Sequence, residues 1–208
     1  MSGRSFSYHE QKETDYTLQF RQLLAELPPY AKDYFRAAEQ KTGAKTRLSY
    51  AYDLQVFFRF LIEKNPALSG KDISEITLTD IDMLASNDIE EYQEYLKYYE
   101  SGNGEQRNGA SSIARKMSSL RSFLGYYYKK ELLTRNVAMQ VDMPKLHEKA
   151  IVRLEPDEVA IMLDNIETYE NQLTGKKRDF FLKTKIRDIA IITLFLGTGI
   201  RVSECVGL

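Results

Sequence analysis

The chain has 208 residues, 43% hydrophobic and 28% charged, a globular composition that excludes a collagen, a coiled-coil rod and a wholly disordered chain. Lysine and arginine total 29 against 30 aspartates and glutamates, so the net charge of −1 gives no sign of a strongly basic nucleic-acid-binding protein. One cysteine, Cys205, excludes an internal disulfide framework, and with two histidines no zinc cluster of cysteine and histidine can form.

The first part of the chain predicts helices separated by proline and glycine. A polar tail over residues 1–15 lacks the apolar stretch of a signal peptide, so we expect a soluble cytoplasmic protein. The three helices are predicted over residues 16–27, ending at Pro28-Pro29, over 30–41, with Gly43 as the C-cap, and over 46–64, with Tyr50, Leu54, Phe57 and Leu61 as an apolar stripe.

The helical pattern continues to residue 130, and the period-two runs of β-branched residues that are typical of strands are nearly absent. Thr77 is placed to cap a short helix through Leu84, and a longer helix follows Asn87-Asp88. The glycines in residues 101–104 predict a polar loop that reaches Gly109. The last helix of this part is predicted over residues 111–130.

The middle of the chain is basic. Residues 101–153 hold ten lysines and arginines and four acids, a local charge of +6 in a nearly neutral chain. The predicted helix there carries Arg115 beside Ser118, Ser119 and Ser122, and small hydroxyl side chains allow close approach to a phosphate backbone. Such a block is typical of a nucleic-acid site, and also of a solvated helix face with a basic linker. Charge alone leaves both interpretations open.

A second unit follows a predicted linker over residues 136–152, which contains Pro144. The unit, residues 153–208, begins with a helix at Glu155-Pro156, because proline and acids favour the first turn of a helix. An apolar helix over residues 178–196 is too short to span a bilayer. About 55 residues are marginal for an independent core, so we expect the bulk of a second domain to be missing.

The turn after this apolar helix carries a candidate site for chemistry. The glycines of Gly197-Thr198-Gly199 permit a sharp helix-to-helix turn. Arg201 then falls in the first turn of the next helix, with Glu204 on the same face. An arginine beside free helix amides is typical of a phosphate site, and a buried Arg–Glu pair between helices is the alternative. A dinucleotide site is excluded, since Val202 replaces the third glycine and no strand precedes the turn.

Residues 188–208, DIAIITLFLGTGIRVSECVGL, resemble the first catalytic-arginine motif of the tyrosine recombinases, the phage-integrase and Xer-type family. Earlier segments resemble that family in order and spacing. Residues 46–54 with Phe57, Phe60 and Leu61 are similar to the second helix of the core-binding domain of that family. Residues 112–123 are similar to its fourth helix. Residues 136–138 with 143–145 are similar to the linker.

The resemblance implies a mainly α fold. A SAM-like helical core-binding domain would occupy residues 16–135, followed by the first helices of a truncated α/β catalytic domain. In this family the two domains clamp duplex DNA, and four protomers act on two duplexes. A tyrosine attacks the phosphate and leaves a 3′-phosphotyrosine without metal or ATP, so no cofactor and no membrane partner are expected.

The resemblance also assigns site residues. Arg201 is the implied first catalytic arginine, whose fork matches the scissile phosphate, and Glu204 is its supporting acid. The candidate DNA contacts are Lys45, Thr46, Arg47 and Tyr50 on the third helix and Arg115, Lys116, Ser119 and Arg121 on the fifth.

The sequence departs from the family pattern after the arginine. The family has a lysine, a His-x-x-Arg motif and the nucleophilic tyrosine downstream, whereas seven residues follow Arg201 and the last tyrosine is Tyr169. We therefore expect these residues to be the DNA-binding portion of a site-specific integrase, able to bind DNA and not to cut it. A non-catalytic regulator of recombination and a helical protein-interaction module are the alternatives.

Overall fold

The computed structural model describes residues 6–101, 104–146 and 153–206. The helices are α1 (Tyr8–Ala25), α2 (Ala31–Glu39), α3 (Ala44–Lys64), α4 (Leu78–Asp82), α5 (Ser86–Tyr95), α6 (Ala110–Lys129), α7 (Pro156–Thr168), α8 (Gly175–Thr198) and α9 (Val202–Cys205). An antiparallel pair, β1 (Tyr98–Ser101) and β2 (Gly104–Arg107), joins α5 to α6. The prediction of a mainly α fold is confirmed. In the described ranges no helix is long and apolar enough to cross a membrane.

The core is centred on α3 and α6. Leu54, Phe57 and Leu61 of the apolar stripe predicted on α3 are buried, and Tyr50 is partly buried. Phe58 of that helix meets Phe123 of α6 with ring centroids 6.0 Å apart. Phe123 also contacts the rings of Tyr34 on α2 and Tyr127 on α6. Aromatic packing of this kind holds the two long helices against each other, and the apolar surface that it buries stabilises the domain.

The first helix begins at Tyr8, so the prediction of a polar tail is wrong for residues 8–15. Ser7 caps the helix: its hydroxyl accepts from the Glu10 amide at 3.3 Å, and the Glu10 carboxylate accepts from the Ser7 amide at 2.8 Å. This reciprocal pair is a capping box, and the Ser-x-x-Glu spacing was visible in the sequence. The residues before the cap, 1–5, lie outside the described part.

Gly43 is the N-cap of α3 and not the C-cap of α2, which corrects the prediction. A glycine has no side chain with which to cap a helix. The missing acceptor comes from α1, where the Glu13 carboxylate accepts a hydrogen bond from the Ala44 amide at 3.2 Å. The carboxylate thereby satisfies one of the free amides at the first turn of α3 and opposes the positive end of its dipole.

Replacing Glu13 by alanine should lower the free energy of unfolding by about 1 kcal/mol, the usual contribution of a helix cap. Urea denaturation followed by circular dichroism at 222 nm measures the change. Asp15→Ala is the matched control, because Asp15 is exposed on the same helix and its carboxylate makes no hydrogen bond to another described residue. Equal effects of the two substitutions would show that Glu13 does not cap α3.

The hairpin of β1 and β2 replaces part of the polar loop predicted over residues 101–109. Its register pairs Tyr98 with Arg107, and the guanidinium lies 5.7 Å from the centroid of the tyrosine ring. Gly104, at φ 91°, supplies the left-handed residue after the turn. A Gly-Asn pair at 102–103, between the paired residues Ser101 and Gly104, is itself a two-residue hairpin signal, which the prediction of a loop overlooked. Residues 102 and 103 lie outside the described part.

The start of the predicted linker belongs to the helical core. Residues Val137–Met139 form a single 3₁₀ turn, and Val137, Ala138 and Val141 are buried. Their apolar side chains explain the difference, because a linker exposed to water would not bury three of them. Residues 147–152 of the predicted linker lie outside the described part.

Residues 153–206 contain α7, α8 and α9, and no described residue in this range is buried. The helix start predicted at Glu155-Pro156 is confirmed, with Pro156 in the first turn. Tyr169 packs edge-on against Phe181 of α8 at 5.5 Å. The helix α8 continues through Gly197 and Thr198, so only Gly199, at φ 65°, ends it.

Candidate nucleic-acid interface

A buried ion cluster joins α3 to α6. The carboxylate of Asp53 on α3 is 1% exposed, and Arg115 of α6 donates to its Oδ2 atom. The ammonium of Lys116 lies 3.2 Å from Oδ1, and the Ser119 hydroxyl donates to Oδ2 at 2.7 Å. Buried charges are stable when they are paired and hydrogen-bonded, so this cluster fixes the two helices in register. Two cations face one anion, which leaves a net charge of +1.

The three predicted contacts in this cluster therefore have different environments. Arg115 has half of its side chain exposed, at 50%. Lys116 is 10% exposed and Ser119 is fully buried, both against Asp53. The bonds of Lys116 and Ser119 to Asp53 support the helix pair, and burial leaves little of either side chain at the surface.

Arg121, the fourth predicted contact on α6, holds the 3₁₀ turn against that helix. Its Nε atom donates to the Ala138 carbonyl at 2.8 Å, and its guanidinium also donates to the Val141 carbonyl. Two of its five N–H donors are thus engaged within the protein. The side chain still lines the groove described below.

The predicted contacts on α3 also divide. Lys45 and Thr46 are exposed at the start of the helix. Arg47 is only 11% exposed: it donates to the Thr42 carbonyl at 2.6 Å and lies 3.4 Å from the Glu39 carboxylate. Arg47 therefore braces the turn between α2 and α3, and its charge is balanced locally.

A groove of about 800 Å³ runs between α2, α3, α6 and the 3₁₀ turn, and we call it the basic groove. Four cations line it, Lys41, Arg121, Lys129 and Arg135, together with the tyrosines Tyr34, Tyr50, Tyr126 and Tyr128. No aspartate or glutamate is among its described lining residues. A concave surface of one charge sign concentrates the field and attracts a polyanion.

The hydroxyl of Tyr34 sits on the wall of the basic groove and donates to the Ser122 hydroxyl at 3.0 Å. Burial raises the pKa of Tyr34 to about 12, so the phenol remains neutral over the physiological pH range. Tyr34 thus contributes a neutral hydroxyl to the groove wall, and not a phenolate that would repel an anion.

Sequence reasoning missed Lys41, Lys129 and Arg135 as site residues. Lys129 and Arg135 belong to the +6 block, which was a usable signal. Lys41 lies in the acidic first half of the chain and had none. The ammonium groups of Lys41 and Lys129 make no ion pair within the described ranges, so both are free to bind an anion.

Arg201 is the N-cap of α9, directly after the turn at Gly199. Its side chain is 80% exposed, and its guanidinium lies 3.1 Å from Glu204. The Glu204 carboxylate also accepts from the Arg201 amide at 2.9 Å. These two hydrogen bonds lower the pKa of Glu204 and keep it ionised. The pair is local and solvent-exposed, which disagrees with a buried Arg–Glu pair between helices.

Comparisons with known proteins agree with this architecture. Residues 32–131 match the family described as phage integrase, N-terminal SAM-like domain. The matched range runs from α2 through α6 and contains the Asp53 cluster. No solved structure matches the chain.

The chain is 33% identical over 188 residues to tyrosine recombinase XerC of Caldanaerobacter subterraneus subsp. tengcongensis. The aligned region covers 87% of this chain and 48% of that protein. It is 30% identical over 202 residues to tyrosine recombinase XerS of Streptococcus equi subsp. zooepidemicus, and that aligned region covers 88% of this chain and 56% of the relative. A XerS of Lactococcus lactis subsp. cremoris is 30% identical over 200 residues. The chain spans about half the length of these relatives. With the matched helical domain, these similarities show that the chain belongs to the tyrosine recombinase family and contains its N-terminal region.

Proposed function

We propose that this region binds duplex DNA through α3, α6 and the basic groove, as the DNA-binding portion of a site-specific recombinase. The observation that carries the proposal is the basic groove itself. Two of its four cations, Arg121 and Lys129, lie on α6, Lys41 lies in the turn before α3 and Arg135 follows α6, and no described carboxylate lines it. The neutral total charge hides this site, because the acids lie elsewhere on the chain.

The dimensions of α6 support the proposal. Arg115 and Lys129 both lie on its exposed side, with Ser118 and Ser122 exposed between them. Fourteen residues of helix separate the two cations by about 21 Å. A helix seated in the major groove, which is about 12 Å wide, could then place one cation at each phosphate backbone, with the small hydroxyl side chains of Ser118 and Ser122 between them.

For the whole recombinase we propose that Arg201 and Glu204 serve the reaction at the scissile phosphate. An exposed guanidinium offers a planar fork of donors to two phosphate oxygens and opposes charge that builds up in the transition state. The ionised Glu204 would orient this fork. Attack by a tyrosine, the 3′-phosphotyrosine intermediate and assembly as a tetramer on two duplexes are likewise proposals for the whole protein.

The salt dependence of DNA binding tests the proposal. Fluorescence anisotropy with a labelled 30-base-pair duplex of mixed sequence, between 50 and 200 mM NaCl, should show log affinity falling linearly with log salt. The double variant Lys41→Ala/Lys129→Ala should weaken binding and reduce the slope by about 1.8, since each lost phosphate contact removes about 0.9.

The matched control is Lys32→Ala/Lys64→Ala, which removes the same charge from exposed sites outside the basic groove. It should leave the slope nearly unchanged. A flat salt dependence of the unmodified chain would contradict DNA binding, and equal losses in the two double variants would move the interface away from the basic groove.

A further inference from the structure

The Asp53 cluster contains more positive charge than a structural ion pair needs. Lys116, which is nearly buried, is sufficient to balance the carboxylate. Arg115 adds a second positive charge on the same carboxylate, and half of its side chain is exposed. A purely structural pair gains little from a second cation, whereas a surface that binds a polyanion gains the uncompensated charge.

The guanidinium of Arg115 has donors to spare. An arginine side chain carries five N–H groups in a rigid fork. One terminal nitrogen donates to Asp53, and the group makes no other hydrogen bond within the described ranges. The remaining donors are therefore available for an external acceptor while the bond to Asp53 is kept.

We propose that Asp53 is a positioning residue for DNA binding, whose buried carboxylate holds the Arg115 guanidinium at the surface with its free donors on a DNA phosphate. This inference rests on the proposed function. It assigns three roles within one cluster: Arg115 binds the phosphate, Asp53 orients it, and Lys116 neutralises Asp53 so that the charge of Arg115 is left for the DNA. Ser119 fills a further acceptor site of the carboxylate.

The physical gain is preorganisation. A free arginine loses rotamer freedom when it grips a phosphate, and that loss weakens binding. An arginine already fixed by a carboxylate has lost this freedom on folding, so fewer degrees of freedom are lost on binding DNA. A lysine in its place offers a point charge that cannot hold the carboxylate and the phosphate in the same planar fork.

A double-mutant cycle on the 208-residue chain tests the proposal. Asp53→Asn combined with Lys116→Met removes one charge of each sign, so the net charge is unchanged and no buried cation is left unpaired. Arg115→Ala is then introduced in the unmodified chain and in this background, and affinity for the mixed-sequence duplex is measured by anisotropy. We expect Arg115→Ala to weaken binding about tenfold in the unmodified chain and less than threefold in the double variant.

Lys129→Ala is the control in both backgrounds, because Lys129 lies about 21 Å along α6 from Arg115. Its effect should be the same in the two chains. Equal effects of Arg115→Ala in the two backgrounds would overturn the positioning role, while DNA binding itself would stand. Absence of binding by the unmodified chain would instead overturn the proposed function.

A second variant keeps the test independent of the Asp53 substitutions. Arg115→Lys preserves the charge but not the fork, so it should bind DNA nearly as weakly as Arg115→Ala. Recovery of full affinity by Arg115→Lys would show that charge alone matters, and it would also overturn the positioning role.

Discussion

Replacing Asp53 by alanine should lower the free energy of unfolding by about 3–5 kcal/mol, the usual effect of breaking a buried ion pair. The substitution leaves the nearly buried ammonium of Lys116 without its counter-ion. It also removes the acceptor to which the Ser119 hydroxyl donates. Urea unfolding followed by circular dichroism measures the change.

Two companion variants identify the cause. Asp33→Ala removes a carboxylate that pairs with Arg36 at 3.4 Å on the surface of α2, and it should cost less than about 1 kcal/mol. Asp53→Ala combined with Lys116→Met should recover most of the lost stability, because the unpaired charge disappears. If Asp53→Ala unfolds at the urea concentration of the unmodified chain, the cluster is not a buried ion pair.

Replacing Phe123 by alanine should lower the free energy of unfolding by about 3–5 kcal/mol. Phe123 is fully buried at the junction of α2, α3 and α6, and its ring contacts Tyr30, Tyr34, Phe58 and Tyr127 at centroid distances of 5.2–6.2 Å. Deletion of the ring leaves a cavity that these aromatic neighbours cannot fill without leaving their own packed positions.

Tyr128→Ala is the matched control for Phe123→Ala, because it removes an aromatic ring of similar size from the same helix. Tyr128 is half-exposed, so its loss should cost less than about 1 kcal/mol. Thermal unfolding should then separate the two variants by several degrees. Equal melting temperatures would mean that the centre of the aromatic core lies elsewhere.

Apolar periodicity was sufficient to predict α3 and α6. Tyr50, Leu54, Phe57 and Leu61 repeat at the helical period, and the three last of these are buried in the structure. Short-range signals that were present in the sequence were missed, however. The Ser7–Glu10 spacing predicts the start of α1, and Gly102-Asn103 predicts a two-residue hairpin connection.

Which charged side chains are exposed and which are buried was less predictable from the sequence. Arg115 and Lys116 are neighbours in sequence and have the same charge, yet one is half-exposed and the other nearly buried. The deciding factor is Asp53, which is 62 residues away from Arg115 along the chain. Arg47 and Arg121 likewise bond to carbonyls of neighbouring turns, contacts that exist only once the helices have packed.

The sequence by itself determined the helical class, the two central helices, the uneven charge and the Gly-x-Gly-x-Arg turn, because periodicity, charge counts and turn chemistry are properties of neighbouring residues. Tertiary structure alone decided which cations face solvent, how Lys41 joins Lys129 in the basic groove, and that Asp53 holds Arg115. These features depend on helix packing, which brings together residues that are far apart in the chain.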